Sequence, residues 1–308
     1  MFAKSKLTAA AVVLAALLPL SACGGDPSSG GGTGNASTPA IIVGSANFPE
    51  NQLLAEMYSQ ALEAQDVKVT RKFNIGAREL YLKALKEGSI NMIPEYNGAF
   101  LAALSPKGEV AQGITTTEQV DAALKKLLPS GLEMLDSSPA EDKDTLTVTS
   151  ATASKYDLKA IDDLKPVASK LTVGAGPEFK TRYQGIVGLD KVYGLKFKSF
   201  KSLDPGGPLT KAALEKGQIQ VANIFSTDSS IVTEKLVVLD DTKNLFLAQN
   251  ITPVLSKEKV KGDVAATLNK VSAALTTEDL TKYLSEVAVD KKSYATVAKE
   301  FIDANSLG

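Results

Sequence analysis

Fourteen residues ending at Tyr96, KALKEGSINMIPEY (Lys83 to Tyr96), return as AALEKGQIQVANIF (Ala212 to Phe225), and no other feature limits the fold as tightly. The offset is constant. Gly88 to Gly217 and Tyr96 to Phe225 are both 129 positions apart, with Ala84-Leu85 matching Ala213-Leu214, Ile90 matching Ile219 and Met92 matching Val221. A second echo pairs Val43-Gly44-Ser45 with Val173-Gly174-Ala175, each followed by Pro-Glu (Pro49-Glu50, Pro177-Glu178). Solenoid repeats run about 20 to 50 residues, so a period this long describes two similar lobes instead.

Within the first lobe the pattern alternates. IIVGS (Ile41 to Ser45) is an apolar strand ending at glycine, and Leu53, Leu54, Met57, Ala61 and Leu62 then recur at helical spacing behind Pro49-Glu50. Val67 to Phe73 reads as a strand, Arg78 to Glu87 as a helix and Ser89 to Met92 as a strand. Thr115-Thr116-Thr117-Glu118 has the character of a capping box opening a helix to Leu128. This order predicts an α/β fold: two α/β lobes with largely parallel sheets, joined by a hinge. In INMIPEYNGAF (Ile90 to Phe100) the strand is expected to stop at Pro94, leaving Glu95 and Tyr96 beyond it and Asn97-Gly98 as a turn. Open parallel sheets bind ligands beyond the C-terminal ends of their strands. Tyr96 and Phe225 stand at those ends in equivalent places, so a cleft between the lobes brings two aromatic rings around a small molecule.

Composition narrows the chemistry. The chain has no histidine and one cysteine, which removes the default general base near neutral pH, disulfides and the common zinc sites. No cofactor or metal is expected. Lys4 and Lys6 precede the apolar run Ala9 to Leu20, which is short for a membrane span and ends in Leu20-Ser21-Ala22-Cys23. These residues resemble the lipobox of bacterial lipoproteins, which makes 1–22 a signal peptide and Cys23 the lipidated first residue of the mature chain. Gly24 to Pro39 is rich in Gly, Ser and Thr and reads, within 23–40, as a flexible tether. Losing Lys4 and Lys6 moves the formal charge from −1 to −3, which leaves no electrostatic footprint for nucleic acid. The expected location is the extracytoplasmic face of the cell membrane, held through the lipid anchor alone.

VGSANFPENQLLAEMYSQALEA, INMIPEYNGAFL, VGAGPEFKTRYQG, ANIFSTD and LAQNITPVL follow one another from Val43 to Leu255. In that order they resemble the osmoprotectant-binding proteins of ABC importers, the glycine betaine, carnitine and choline binders with the type II periplasmic-binding fold. The resemblance implies a monomeric receptor that closes two lobes on a solute and delivers it to a permease and its ATPase. It also implies a cage of tyrosines around a quaternary ammonium, with a basic side chain for a solute carboxylate. Tyr96 matches one cage tyrosine, Phe225 stands where a second is expected, and Arg182 matches the carboxylate-binding arginine. Thr145 and Gln249 fall on two further cage positions. Ala46 occupies a place where some members carry lysine, and Asn47 beside it joins the candidate contacts. Two missing aromatic walls cost on the order of 1 to 4 kcal/mol toward a quaternary ammonium, so a wider, more polar site is expected.

The expected path is 41–144 and 249–308 for lobe I and 145–248 for lobe II. Three helices (Lys261 to Leu275, Asp279 to Val287, Ser293 to Ala304) return to lobe I. Lys143 and Asp144 at the crossover read as hinge-region surface. Arg182 has Glu178 within one helical turn as an alternative partner. Three other readings stay open: a degenerate cage for a non-betaine polar or aromatic solute, a sensor receptor, and a surface-anchored enzyme using Glu95 and Asp228 as acid and base.

Overall fold

The computed structural model describes residues 40–259 and 263–308, which belong to one compact unit. The signal peptide, Cys23 and the tether Gly24–Pro39 lie outside the described residues, as does Lys261 at the expected start of a C-terminal helix. In the first half the elements are β1 (Ile41–Gly44), α1 (Pro49–Glu63), β2 (Val69–Lys72), α2 (Arg78–Lys86), β3 (Met92–Tyr96), α3 (Asn97–Leu104), α4 (Thr117–Leu127) and β4 (Leu132–Met134). The chain then crosses into β5 (Asp144–Thr149), α5 (Ser150–Tyr156), β6 (Thr172–Ala175), α6 (Gly188–Tyr193), β7 (Ser199–Ser202), α7 (Pro208–Glu215), β8 (Val221–Phe225), α8 (Ser230–Thr233) and β9 (Leu236–Leu239). It returns through β10 (Ile251–Ser256) to α9 (Asp263–Ala274), α10 (Thr277–Ala288) and α11 (Tyr294–Ala304).

Two five-stranded sheets result, in the orders β2-β1-β3-β10-β4 and β7-β6-β8-β5-β9. The orders are the same when each strand is replaced by its repeat partner. β3 and β8 occupy the same five positions at the 129-residue offset. Gly88 and Gly217, which follow α2 and α7, both adopt the left-handed conformation (φ 75° and 67°) that spares glycine a Cβ penalty.

The sheets are mixed where largely parallel ones are expected. β1, β2 and β3 are parallel, but β10 runs antiparallel to both β3 and β4; β5 does the same between β8 and β9. The odd strand in each sheet is the one by which the chain arrives from the other lobe. β3 and β8 end at the cleft, so a strand leaving the cleft must run against them. The two crossover segments also pair with each other, Asp142 N donating to Gln249 O and Ile251 N to Ala140 O (3.0 and 3.2 Å).

The strand through Pro94 does not stop there. β3 begins at Met92 rather than Ser89, passes through Pro94 and reaches Tyr96, and Asn97-Gly98 opens α3 instead of a turn. Pro94 is tolerated because it faces Pro253 of β10, a position of the ladder that asks neither residue for an N–H. Its free carbonyl accepts from Asn51 Nδ2 at 2.9 Å.

The helix after β1 has no long counterpart in the second lobe. Pro177–Lys180 is a single 3-10 turn, after which the backbone folds back so closely that a Cβ on Gly185 would lie 2.1 Å from Phe179 O. That break holds Arg182 and Tyr183 at the cleft. The core of the first sheet joins Val43, Met57 and Tyr58 to Leu268, Tyr283 and Phe301, so α9, α10 and α11 pack on α1. A separate core of Leu146, Val173, Leu189 and Val221 fills the second.

Candidate functional site

A cavity of about 370 Å³ opens between the two sheets, a size at the lower end for small-molecule sites. Three aromatic rings meet on its wall. Tyr96 ends β3, Phe225 ends β8, and Phe48 is the extended residue just before Pro49 starts α1. The Phe48 centroid is 5.9 Å from Tyr96 and 5.1 Å from Phe225, tilted in both pairs. Rings in this arrangement present π-faces that attract a desolvated cation.

Behind the rings lies a buried polar network that spans both lobes and the crossover. Tyr96 Oη donates to Glu50 Oε1 at 2.7 Å, and Thr227 Oγ1, two residues beyond Phe225, donates to Glu50 Oε2 at 2.5 Å. Asp142 accepts from Thr227 N (3.1 Å) and Ser226 Oγ (3.2 Å). Burial pushes the Glu50 carboxyl above its ordinary range. Burial, then the charge of Glu50, pushes Asp142 well above its own.

The remaining wall carries charge. Arg78 forks onto Glu95, Nε to Oε1 and Nη2 to Oε2, both at 2.9 Å, and Tyr81 Oη donates to the same carboxylate at 2.8 Å. Burial opposes the Arg78 charge, and the Glu95 carboxylate overrides it, so the guanidinium stays charged. Arg182 pairs with Glu79 across the cleft, Nη2 to Oε2 at 2.9 Å and Nε to Oε1 at 3.2 Å. A second rim pair, Lys191 Nζ to Glu109 Oε1 at 2.7 Å, also ties the lobes. Asp144 lines the cavity with its oxygens held by Asn223 Nδ2 (3.0 Å) and Gln249 Nε2 (3.3 Å).

Of the residues singled out by sequence, Tyr96, Phe225, Arg182, Gln249, Asn47 and Ala46 all line this cavity. Thr145 does not. Its hydroxyl donates to Ile224 O at 2.6 Å inside the sheet, and the strand turns its neighbour Asp144 to the cavity instead. Asp144 is therefore cavity wall rather than hinge surface. Arg182 takes neither a free position nor Glu178 as partner, because the broken segment after Pro177 carries it to Glu79. Glu95 and Asp228, the proposed acid and base, are each held by a cation, Arg78 and Lys211 (2.8 Å), and neither lines the cavity. Among the described residues no group of three or more His, Cys, Asp or Glu is placed to hold a metal, and no helix is long and apolar enough to cross a membrane. Phe48, Arg78 and Asp144 are among the wall residues that sequence reasoning did not assign to the cavity. Only Phe48 left a signal, an aromatic just ahead of the Pro-Glu helix start.

Two matched α/β lobes, joined by paired crossover segments around a solute-sized cavity, define a hinged solute-binding protein. The comparison with known families is specific. The chain belongs to the OpuAC family, the substrate binding domain of ABC-type glycine betaine transport systems, whose model matches residues 39–304. It is 28% identical over 282 residues to the carnitine transport binding protein OpuCC of Listeria monocytogenes, covering 89% of this chain and 90% of that one. It is 24% identical over 279 residues to the glycine betaine-binding protein YehZ of Escherichia coli, covering 85% and 89%. A crystal structure described as a glycine betaine/carnitine/choline ABC transporter superposes with a TM-score of 0.67 at 25% identity, covering 87% of this chain and 99% of that one. Members of the family are extracytoplasmic transport binding proteins of ABC importers, which implies a small-molecule solute and a permease as partners.

Proposed function

We propose that this protein is a lipid-anchored, monomeric receptor that captures a small osmoprotectant-like solute, a quaternary amine or betaine, between its lobes and delivers it to an ABC permease. The observation that carries this reading is the ring cluster. Phe48 and Tyr96 come from one lobe and Phe225 from the other, so a cation among them is enclosed only when the lobes meet. Each favourable face contributes about 0.5 to 2 kcal/mol once desolvated. Residues 41–144 with 249–308 move as one body and 145–248 as the other, about the paired crossovers. Tyr96, Phe225, Gln249, Asn47 and Ala46 contact the solute, and Arg182 closes the rim against Glu79. Cys23 carries the lipid, and the tether up to residue 40 lets the receptor reach its permease.

A thermal-shift screen of residues 41–308 against glycine betaine, carnitine, choline and unrelated polar and aromatic solutes tests the solute class. A ligand at a hundred times its dissociation constant stabilises by about 2.7 kcal/mol, a visible rise in Tm. The reading expects that rise with a quaternary amine and its loss in Tyr96→Ala. Silence with every amine and a shift with another solute would retain the receptor and replace the ligand. Membrane release of the Cys23→Ser chain tests the anchor.

A further inference from the structure

The cavity wall has an uneven charge, and two of its half-buried acids, Asp144 and Glu178, stand without an ion pair among the described residues. Arg78, Lys107 and Arg182 are the cations that line it, and Glu79, Asp142, Asp144 and Glu178 are the acids. Both arginines are already occupied by carboxylates of the protein itself. Arg78 is forked onto Glu95, and Arg182 is forked onto Glu79. Lys107 sits exposed on the rim turn Pro106–Gly108. Asp142 is buried beside Glu50 and shares that polar network. Glu178 is half-buried and without an ion pair too, but among the described residues no hydrogen bond fixes its carboxylate. Asp144 differs from all of these in being held by hydrogen bonds that leave it unpaired with any cation. It is half-buried, and it makes no ion pair among the described residues. Its carboxylate is fixed in place by two neutral amides, Asn223 Nδ2 and Gln249 Nε2. Arg78 lies near enough to feel Asp144, but the Arg78–Glu95 pair as a whole is neutral.

We infer that Asp144 is a specificity-determining residue: it accepts a hydrogen bond from an O–H or N–H of the bound cation and selects against a solute that brings its own carboxylate. The inference rests on the quaternary-amine reading above and narrows it. A carboxylate in a dry cavity needs a positive or hydrogen-bonding partner, and here the guanidinium groups are already committed. A solute carboxylate placed near Asp144 meets like charge, whereas a hydroxyl or amino hydrogen meets an oriented acceptor. The two amides leave each Asp144 oxygen with acceptor capacity to spare, since a carboxylate oxygen offers about two lone-pair sites. Discrimination of this kind is stronger than a hydrophobic pocket achieves, because the wrong solute brings like charge to Asp144 where the right one brings a hydrogen-bond donor.

Calorimetric titration of the full mature chain with choline, carnitine and glycine betaine tests the inference, in the unmodified protein and in Asp144→Asn. The three solutes share the trimethylammonium group. Choline adds a hydroxyl alone, carnitine a hydroxyl and a carboxylate, and glycine betaine a carboxylate alone. The expected ranking is choline, then carnitine, then glycine betaine, with at least tenfold between the first and last. Asp144→Asn should weaken choline by tenfold or more and bring glycine betaine level with it. The ranking in the unmodified protein stands even if the variant fails to fold. Glycine betaine binding as tightly as choline keeps the aromatic cage and overturns the role of Asp144, as does an Asp144→Asn protein with unchanged ranking. Binding of none of the three overturns both readings.

Discussion

Thr227→Val isolates the bond on which closure turns. The two side chains have nearly the same shape, so the change removes one hydroxyl and little packing. That hydroxyl donates to Glu50 Oε2 at 2.5 Å, and its two ends belong to different sheets: Thr227 follows β8, and Glu50 lies in the first turn of α1. Opening the cleft breaks the bond and hydrates both groups, so its energy enters the solute affinity rather than the stability of either lobe. A hydrogen bond to a charged group contributes about 1.5 to 3 kcal/mol. Glu50 keeps the Tyr96 hydroxyl as a second donor, which places the loss at the lower end, about 1.5 to 2 kcal/mol. At about 1.4 kcal/mol per tenfold, the dissociation constant for a quaternary amine should rise roughly ten- to thirtyfold. Calorimetry reads this directly, and Thr227→Ser, which retains the donor, should stay within about threefold of the parent. A Thr227→Val protein that binds within twofold of the parent would show that the lobes close without this bond.

Acidification should tighten solute binding. Glu50 and Asp142 have pKa values raised by burial in the closed form, so their contribution to closure is complete below the ordinary carboxyl range and lost as pH rises through the raised values. Titrations between pH 7.5 and 5 should therefore give a falling dissociation constant. The rim acids Glu79 and Glu109 have lowered pKa values and weaken closure only below the ordinary carboxyl range. The Arg182–Glu79 pair is partly exposed, so a double-mutant cycle with Arg182→Ala and Glu79→Ala should return a coupling of about 0.2 to 1 kcal/mol that fades with added salt. Phe225→Ala should weaken a quaternary amine by about 0.5 to 2 kcal/mol, and Phe225→Tyr should hold affinity, both read by calorimetry. Gly98→Ala sets helix propensity, a gain of about 1 kcal/mol, against a Cβ placed 2.1 Å from Ala248 O at the returning crossover. Backbone cannot yield as a side chain does, so overpacking by about 1 to 3 kcal/mol wins and the urea midpoint falls.

The duplication is legible because helix, glycine and buried strand each leave a local mark, and both copies retain all three. Tyr96 and Phe225 follow from that, since a strand's end tells where its last side chain is presented. The elements that escape the sequence depend on partners far along the chain. Pro94 reads as a strand end until Pro253 is seen opposite it, and the antiparallel crossover strands follow from the lobes' arrangement, not from any local pattern. Asp144 reads as hinge surface because a charged residue between lobes usually is. Its place in the cavity is set by pairing with Phe225 in the neighbouring strand. Arg182 meets Glu79 from 103 positions away, while the nearer Glu178 is the partner that helical spacing offers. Thr145 is misplaced for a simpler reason: successive residues of a strand face opposite ways, and here Asp144 faces the cavity while the Thr145 hydroxyl turns to Ile224 O.

The rings and the latch are one assembly, and this explains how capture and closure can be the same event. Tyr96 lines the cavity and gives its hydroxyl to Glu50. Glu50 takes its second donor from Thr227, which sits two residues beyond the ring of Phe225 on the opposite lobe. A cation that draws Phe225 toward Tyr96 and Phe48 thus carries Thr227 toward Glu50 and the main chain of Thr227 toward Asp142. The solute need supply only the difference between open and closed states, because the network completes itself once the rings approach. Conversely, a change that leaves every ring in place but spoils the network should reduce affinity without touching the solute. Asp144 stands outside this network and on the cavity wall, held by Asn223 and Gln249. Closure strength and solute choice are therefore set by different carboxylates, and each can be altered while the other is retained.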